Sequence, residues 1–391
     1  MESRKPCHLG HTVVLLRPME TKVLKLDASK IDSAKINEAA AIIESGGLVA
    51  FPTETVYGIA CRVKSDSLTR LDNLKGRTAE KYYTLHIGQK SDVGNYVPTV
   101  GLKAQKLIQN AWPGPLTIVF ELEQKDVDEQ HRNLEEEVFR SLYKNHSIGI
   151  RCPDNTIAAI LLQQTSTPVV ASSANITDSP PAVDAGQVFD QLSGKIDLLL
   201  DAGPCKYKKS STVVKIGKKG MGILRPGLYS QTELKALSQL RFLFVCTGNT
   251  CRSPMAEGIF RKYLVEKLQC NVDGLDEMGY KTSSAGIIGS VGYPATTEAV
   301  TACAAKGVDI KAHRNKALSR ELIEQSDIIF AMEQIHRDRV VIFDPKAANK
   351  CFLLAGNTGI PDPIGHPQQS YDKCAKLIER AVQKRISELV I

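Results

Sequence analysis

The residues best suited to chemistry lie between Arg241 and Pro254, reading Arg-Phe-Leu-Phe-Val-Cys-Thr-Gly-Asn-Thr-Cys-Arg-Ser-Pro. An apolar run delivers Cys246. Thr247, Gly248, Asn249, Thr250 and Cys251 then make a tight loop, and Arg252 opens a helix. Successive backbone N–H groups of such a loop converge on one point and form a nest for an anion. The helix dipole and Arg252 are expected to stabilise a thiolate at Cys246, lowering its pKa and making it nucleophilic at neutral pH. Arg252 can hold two phosphoryl oxygens through its fork of donors. Ser253 is placed to cap the helix, and Pro254 suits its first turn. Thiol attack on phosphorus needs a proton donor for the leaving group. Asp362, in Ile-Pro-Asp-Pro-Ile-Gly at 360–365, offers one on a loop ahead of the last helix. Cys251 can also pair reversibly with Cys246, which would shield the nucleophile under oxidation.

A second set of chemistry-bearing residues is scattered over the amino-terminal half. Phe51 to Gly58 reads Phe-Pro-Thr-Glu-Thr-Val-Tyr-Gly after a buried run, and Lys75, Arg77 and Lys81 cluster at a helix end. Ala-Ser-Ser-Ala-Asn at 171–175 follows another apolar run, Ser210-Ser211 leads into a third, and Leu-Arg-Pro-Gly ends the set at 224–227. Neither a G-x-x-x-x-G-K-[ST] loop nor a G-x-G-x-x-G after a strand occurs here. Three basic side chains within seven residues suit a triphosphate. Hydroxyl and amide groups at strand ends lie where open α/β sheets bind ligands.

The elements that must position these groups alternate. Asp32 to Ser45 reads as a helix capped by Asp32 or Ser33 and stopped by Gly46-Gly47. Apolar strands are expected at Leu48–Phe51, Thr117–Phe120, Ser147–Arg151, Pro168–Ala171, Asp197–Leu200 and Thr212–Ile216. A short helical linker follows at Ser230–Gln239. A second alternation then brings strands at Arg241–Val245, near Thr282, at Asp327–Met332 and at Cys351–Leu354, with a terminal helix from Gln369. The fold class is therefore α/β in two unlike domains: an extension 1–28, a first domain 29–230, a linker 231–240 and a second domain 241–391.

With 391 residues, 42% hydrophobic and 24% charged, the composition is that of an ordinary globular protein with ample core. No apolar run approaches the roughly 20 residues of a membrane span. Val13–Leu16 is too short for a signal-peptide core, so a soluble, cytoplasmic protein without a membrane partner is expected. The net charge of +7 suits phosphate or RNA handling as well as plain solubility. The ten cysteines contain no C-x-x-C pair and no zinc spacing, so neither a disulfide framework nor a metal site is expected.

The carboxy-terminal half resembles the low-molecular-weight protein tyrosine phosphatase family, which pairs a C-x5-R-S loop with a late Asp-Pro. Ser284-Ala285-Gly286 and Ala331-Met332 also fit. The resemblance implies a parallel-sheet α/β sandwich with no cofactor and a phosphorylated protein as substrate. Cys246 becomes the nucleophile that forms a cysteinyl-phosphate, Arg252 the phosphoryl ligand, and Asp362 the general acid and then base. Asn249 and Ser253 support the loop. The wording Cys-Thr-Gly-Asn-Thr-Cys-Arg-Ser-Pro-Met-Ala-Glu is similar to the protein arginine phosphatase branch. Thr250 stands where tyrosine phosphatases carry a larger aliphatic residue, and Ile364 where they commonly place an aromatic wall. Both departures favour phosphoarginine over phosphotyrosine.

Residues 29–230 resemble the YrdC-type threonylcarbamoyl-AMP synthase family, which implies a twisted mixed sheet. It also implies condensation of L-threonine, bicarbonate and ATP, with Mg²⁺ on the phosphates, to supply threonylcarbamoyl modification of tRNA. By this resemblance Thr53, Tyr57 and Arg151 meet threonine. Lys75, Arg77, Ser173 and Asn175 grip the nucleotide phosphates, and Ser211 and Arg225 bind the nucleotide. Double-stranded RNA and tRNA-modification proteins are implied partners; DNA is not. Thr78 and Tyr82-Tyr83 depart from the family's usual prolines. The alternative is a phosphotyrosine phosphatase targeted by a non-catalytic nucleotide- or RNA-binding module.

Overall fold

The computed structural model describes residues 20–27, 30–76, 83–217 and 220–390. Arg77, Thr78, Lys81, Tyr82 and most of the amino-terminal extension lie outside them. The chain folds as two compact units that are not continuous in sequence: Met1–Gly88 with Pro153–Ser210, and Gln89–Cys152 with Ser211–Ile391.

The strands in chain order are β1 (Lys22–Lys25), β2 (Val49–Phe51), β3 (Gly58–Arg62), β4 (Thr84–His86), β5 (Leu116–Glu121), β6 (Ser147–Arg151) and β7 (Val169–Ser173). They continue as β8 (Leu198–Asp201), β9 (Thr212–Gly217), β10 (Gly220–Arg225), β11 (Leu240–Cys246), β12 (Tyr280–Gly286), β13 (Ile328–Ala331) and β14 (Cys351–Leu353). In the first unit the order is β1-β8-β2-β3-β7-β4. Its β1/β8 and β2/β8 pairs are parallel and the others antiparallel, so the sheet is mixed as expected. The helix Ser33–Glu44 covers it with Ile36, Ala39, Ala40 and Ile43, and Asp32 caps that helix through Ala34 N and Lys35 N. This 3.6-residue spacing put all four apolar side chains on one face.

In the second unit β6-β5-β9-β10 form one run of neighbours. The separate sheet β12-β11-β13-β14 is parallel throughout. Between them the helix Gln231–Leu237 begins with a reciprocal capping box of Ser230 and Glu233. Phe242 and Phe244 of β11 meet Phe260 of the helix Arg252–Leu268 and Phe330 of β13, with ring centroids 4.8–6.2 Å apart. Each buried phenylalanine contributes about 1.5–3 kcal/mol. That aromatic block fixes the height at which β11 releases Cys246. The helix Leu102–Ala111 belongs to the same unit: Lys106 pairs with Asp327 at 2.7 Å, and Leu102 N donates to Val390 O at 2.8 Å. Among the described residues no helix is long and apolar enough to cross a membrane.

Candidate active sites

At the carboxyl end of β11 the chain turns sharply. Asn249 takes φ +55°, a left-handed conformation that asparagine tolerates better than most residues. Its side chain is wholly buried and ties the loop together: Nδ2 donates to Ser253 Oγ at 2.9 Å, and Oδ1 accepts from Lys316 N at 2.9 Å. The loop carbonyls are held from outside as well, Gly248 O by Asn315 Nδ2 at 3.1 Å and Asn249 O by His313 Nε2 at 2.7 Å. With these two carbonyls held from outside, the Asn249 N–H turns inward to the Cys246 sulfur. Gly286 ends β12 against it. A Cβ there would lie 2.8 Å from Thr247 O and 2.9 Å from Gly248 C, so only glycine permits the approach.

Cys246 Sγ is buried, 2.9 Å from Ser253 Oγ and 3.3 Å from Asn249 N, which donates to it. Two expectations are corrected here. Ser253 does not cap the helix: the helix runs Arg252–Leu268, its N-cap is Cys251 without a side-chain bond, and the Ser253 hydroxyl is spent on the sulfur. Nor is the Cys246 pKa lowered overall. Burial pushes the thiol up, and the hydrogen bonds from Ser253, the Arg252 charge and the Asn249 N–H pull against that without overcoming it. Cys251 Sγ lies 3.6 Å from the hydroxyls of Thr296 and Tyr371, and both cysteines are free thiols.

Arg252 is 1% exposed. Its Nη1 pairs with Glu333 Oε2 and donates to Ile360 O at 3.0 Å; its Nη2 pairs with Asp362 Oδ2 and donates to Thr247 Oγ1 at 3.0 Å. Its Nε is buried and has no hydrogen-bond partner. Cys246, Arg252 and Asp362, predicted from segments over a hundred residues apart, are thus brought to one place. Thr250 is half-buried beside Cys251, and Ile364 is 53% exposed next to Asp362.

The sequence reading missed Glu333 and His336. They follow β13, which lies parallel beside β11, so the loop after it must open at the same edge of the sheet as the Cys246 loop. That topological signal was available in the Asp327–Met332 strand.

The second set of predicted residues divides between the units. In the first, Thr53 Oγ1 donates to Val56 O at 2.7 Å and accepts from Thr55 N at 3.2 Å, folding the loop after β2. Tyr57 is fully buried, its hydroxyl donating to Gly203 O at 2.8 Å and accepting from Ala202 N at 3.3 Å; burial pushes its pKa far up. Lys75 is buried and donates to Ser173 O, Asn175 O and Asn175 Oδ1 at 2.6–3.0 Å. Ser173 Oγ reaches the same Asn175 Oδ1 at 2.6 Å. One lysine thus sets the shape of the Ser173–Asn175 loop.

In the second unit Arg225 Nη2 donates to Ser211 O at 2.9 Å and Ser211 Oγ at 3.0 Å. Thr117, missed in the sequence, sits 3.3 Å from Ser211 Oγ and opposite Arg151 in the β5/β6 register. Desolvation lowers the Arg225 pKa, and the nearby Arg151 charge lowers it further.

A parallel four-stranded sheet with a Cys-x5-Arg loop at its carboxyl edge defines one class of protein, and a mixed sheet bearing Lys75, Ser173 and Asn175 another. Comparison with known proteins agrees. Residues 41–227 match the Sua5, YciO and YrdC family, described as telomere recombination, and residues 241–390 match the low molecular weight phosphotyrosine protein phosphatase family. The chain is 30% identical over 238 residues to threonylcarbamoyl-AMP synthase of Pyrococcus abyssi, covering 60% of this chain and 66% of that one. It is 30% identical over 222 residues to threonylcarbamoyl-AMP synthase of Mus musculus, covering 55% and 74%. It is 34% identical over 160 residues to low molecular weight protein-tyrosine-phosphatase Etp of Escherichia coli K12, covering 39% and 99%. The chain belongs to both families, as a fusion of the two. It spans 66% and 58% of the length of the Pyrococcus abyssi and Bacillus subtilis synthases it matches.

Proposed function

We propose that this chain is a bifunctional enzyme: a threonylcarbamoyl-AMP synthase joined to a cysteine-dependent protein phosphatase. The observation that carries the phosphatase half is the buried, unpartnered Nε of Arg252, on a guanidinium whose Nη1 already reaches Glu333 and Ile360 and whose Nη2 reaches Asp362 and Thr247. A buried donor left unmade costs about 1–3 kcal/mol, and a phosphoryl oxygen would satisfy it. The Cys246 thiol gives up its proton to solvent, and the thiolate so formed attacks phosphorus, forming an S–P bond as the bond to the leaving group breaks. Asp362 gives its proton to the leaving atom. It then takes one from the water that cleaves the cysteinyl-phosphate and releases inorganic phosphate. Ser253 donates to the sulfur and favours its ionised form.

Phosphoarginine is the favoured substrate. Thr250, half-buried in the loop beside Cys251, carries a hydroxyl where a hydrocarbon would offer no hydrogen bond, and the exposed Ile364 gives no aromatic face for a phosphotyrosine ring. Phosphoarginine and phosphotyrosine peptides compared on the parent and on Thr250→Ile test this. A swap in preference is expected, and no change would contradict it.

For the synthase half, the amine of L-threonine takes up carbon dioxide from bicarbonate, and the carbamate attacks the α-phosphorus of ATP, releasing pyrophosphate. No protein nucleophile is needed, so catalysis rests on positioning and charge. Arg151 suits the threonine carboxylate. Lys75, Ser173 and Asn175 with Arg77 suit the phosphates, Ser211 and Arg225 the nucleotide, and Mg²⁺ enters as part of MgATP. Pyrophosphate release that requires both threonine and bicarbonate separates this from a binding-only module. The product would feed tRNA modification, and the free thiols suit a cytoplasmic setting.

A further inference from the structure

Thr247, the first residue after the nucleophile, has a half-buried side chain at the cradle. Two donors converge on its hydroxyl oxygen: Arg252 Nη2 at 3.0 Å and the ring of His336 through Nε2 at 2.9 Å. The direction of the second bond follows from the opposite side of the ring. His336 Nδ1 lies 3.0 Å from the backbone nitrogen of Glu333, which can only donate, so Nδ1 carries the lone pair and Nε2 the proton. A hydroxyl oxygen has two acceptor positions and one hydrogen. With both positions filled, the hydrogen of Thr247 is the atom left to give.

We propose that His336 is a positioning residue which, acting through Thr247, turns that hydroxyl hydrogen toward an oxygen of the bound phosphoryl group. The cradle then holds its oxyanion with a neutral side-chain donor in addition to Arg252 and the loop N–H groups. This rests on the phosphatase reading.

The surroundings keep the arrangement fixed. His336 is fully buried, on the first turn of the helix Gln334–Phe343. The charged groups facing it are Arg252, Glu333 and Asp362. Burial, reinforced by Arg252, pushes its pKa down to about 4 against the pull of the two carboxylates. The ring therefore stays neutral at neutral pH, and Nδ1 keeps its acceptor role. The Thr247 backbone is held separately, its carbonyl accepting from Ile288 N at 3.1 Å, so only the rotation of the side chain is left for His336 to set.

The test is a double-mutant cycle on the full chain, with vanadate as the oxyanion probe and thermal unfolding to establish that each variant is folded. Thr247→Val should weaken vanadate binding roughly tenfold, and Thr247→Ser should match the parent. His336→Phe should weaken it several-fold in the parent background and not at all in the Thr247→Val background. His336→Gln, which keeps an N–H at a similar reach, should recover most of the loss, and His336→Leu replaces His336→Phe in the cycle should that variant not fold. Thr247→Val binding as tightly as the parent would overturn the proposal. So would a His336 effect of equal size in both backgrounds, since that is the mark of a packing residue. A parent that binds neither vanadate nor phosphate overturns the phosphatase reading and the proposal together.

Discussion

The two candidate sites are built in opposite ways. The phosphate cradle comes from one uninterrupted loop, Cys246 to Ser253, braced by single residues from other loops at the same sheet edge. The nucleotide set comes instead from short pieces far apart in the chain: Lys75 at a helix end and Ser173–Asn175 at the close of β7 in the first unit, and Ser211 just before β9 and Arg225 at the end of β10 in the second. A contiguous loop carries its own geometry, because backbone N–H groups do the binding and the neighbouring sequence fixes their direction. A dispersed set depends on each strand reaching the right register, and its side chains serve the scaffold as well. Lys75 shows this: its ammonium holds the carbonyls of Ser173 and Asn175, shaping the loop it is expected to charge.

The sharpest way to break the comparison is to damage one site and read both. Cys246→Ser should lower phosphatase activity by at least about a thousandfold and leave pyrophosphate release unchanged. Conversely, Lys75→Ala should cut threonine-dependent pyrophosphate release roughly a hundredfold, because three hydrogen bonds from a charged donor are lost at once. Phosphatase activity in that variant should match the parent. Ser253→Ala should cost roughly tenfold at neutral pH by removing the sulfur's hydroxyl partner. Since that hydroxyl pulls the Cys246 pKa down against burial, its loss moves the rise of kcat/KM to higher pH, as a pH profile would reveal. Thr250→Ile should move the preference from phosphoarginine toward phosphotyrosine by roughly tenfold, enough to swap it.

The smallest effect concerns stability. His336 has its pKa lowered from 6.5 to about 4, so the unfolded chain binds the proton more tightly. Its contribution is whole above pH 6.5 and falls away as the pH drops toward 4. Thermal unfolding followed across that window should be less pH-dependent in His336→Gln than in the parent.

Much of the frame was legible from residue types. The helix Ser33–Glu44 with its Asp32 cap, the strand Ser147–Arg151 and the order of strands around Cys246 follow from periodicity and capping chemistry. Strands β3 and β4 were not anticipated. Gly58–Arg62 directly follows a loop rich in turn residues, and Thr84–His86 is too short to show an alternation. In the cradle, Cys246, Arg252 and Asp362 were readable, but the job of Ser253 was not. A serine at the start of a helix ordinarily caps it, and only the position of the Cys246 sulfur reveals that the hydroxyl has a better partner. The thiol's pKa was misjudged for a related reason: sequence displays the charges that lower it, whereas the full burial that raises it is a property of the packed fold. Glu333 and His336 carry no local motif and become visible only once β13 is paired with β11.

The central claim is that the Cys246 sulfur itself receives the phosphoryl group while Asp362 manages the protons. Rapid quenching of Asp362→Asn with a phosphorylated peptide, followed by mass mapping under acidic conditions, tests it most directly. The account predicts a phosphoryl group on the peptide containing Cys246. Turnover of the peptide with Cys246 unmodified at every time point would contradict it.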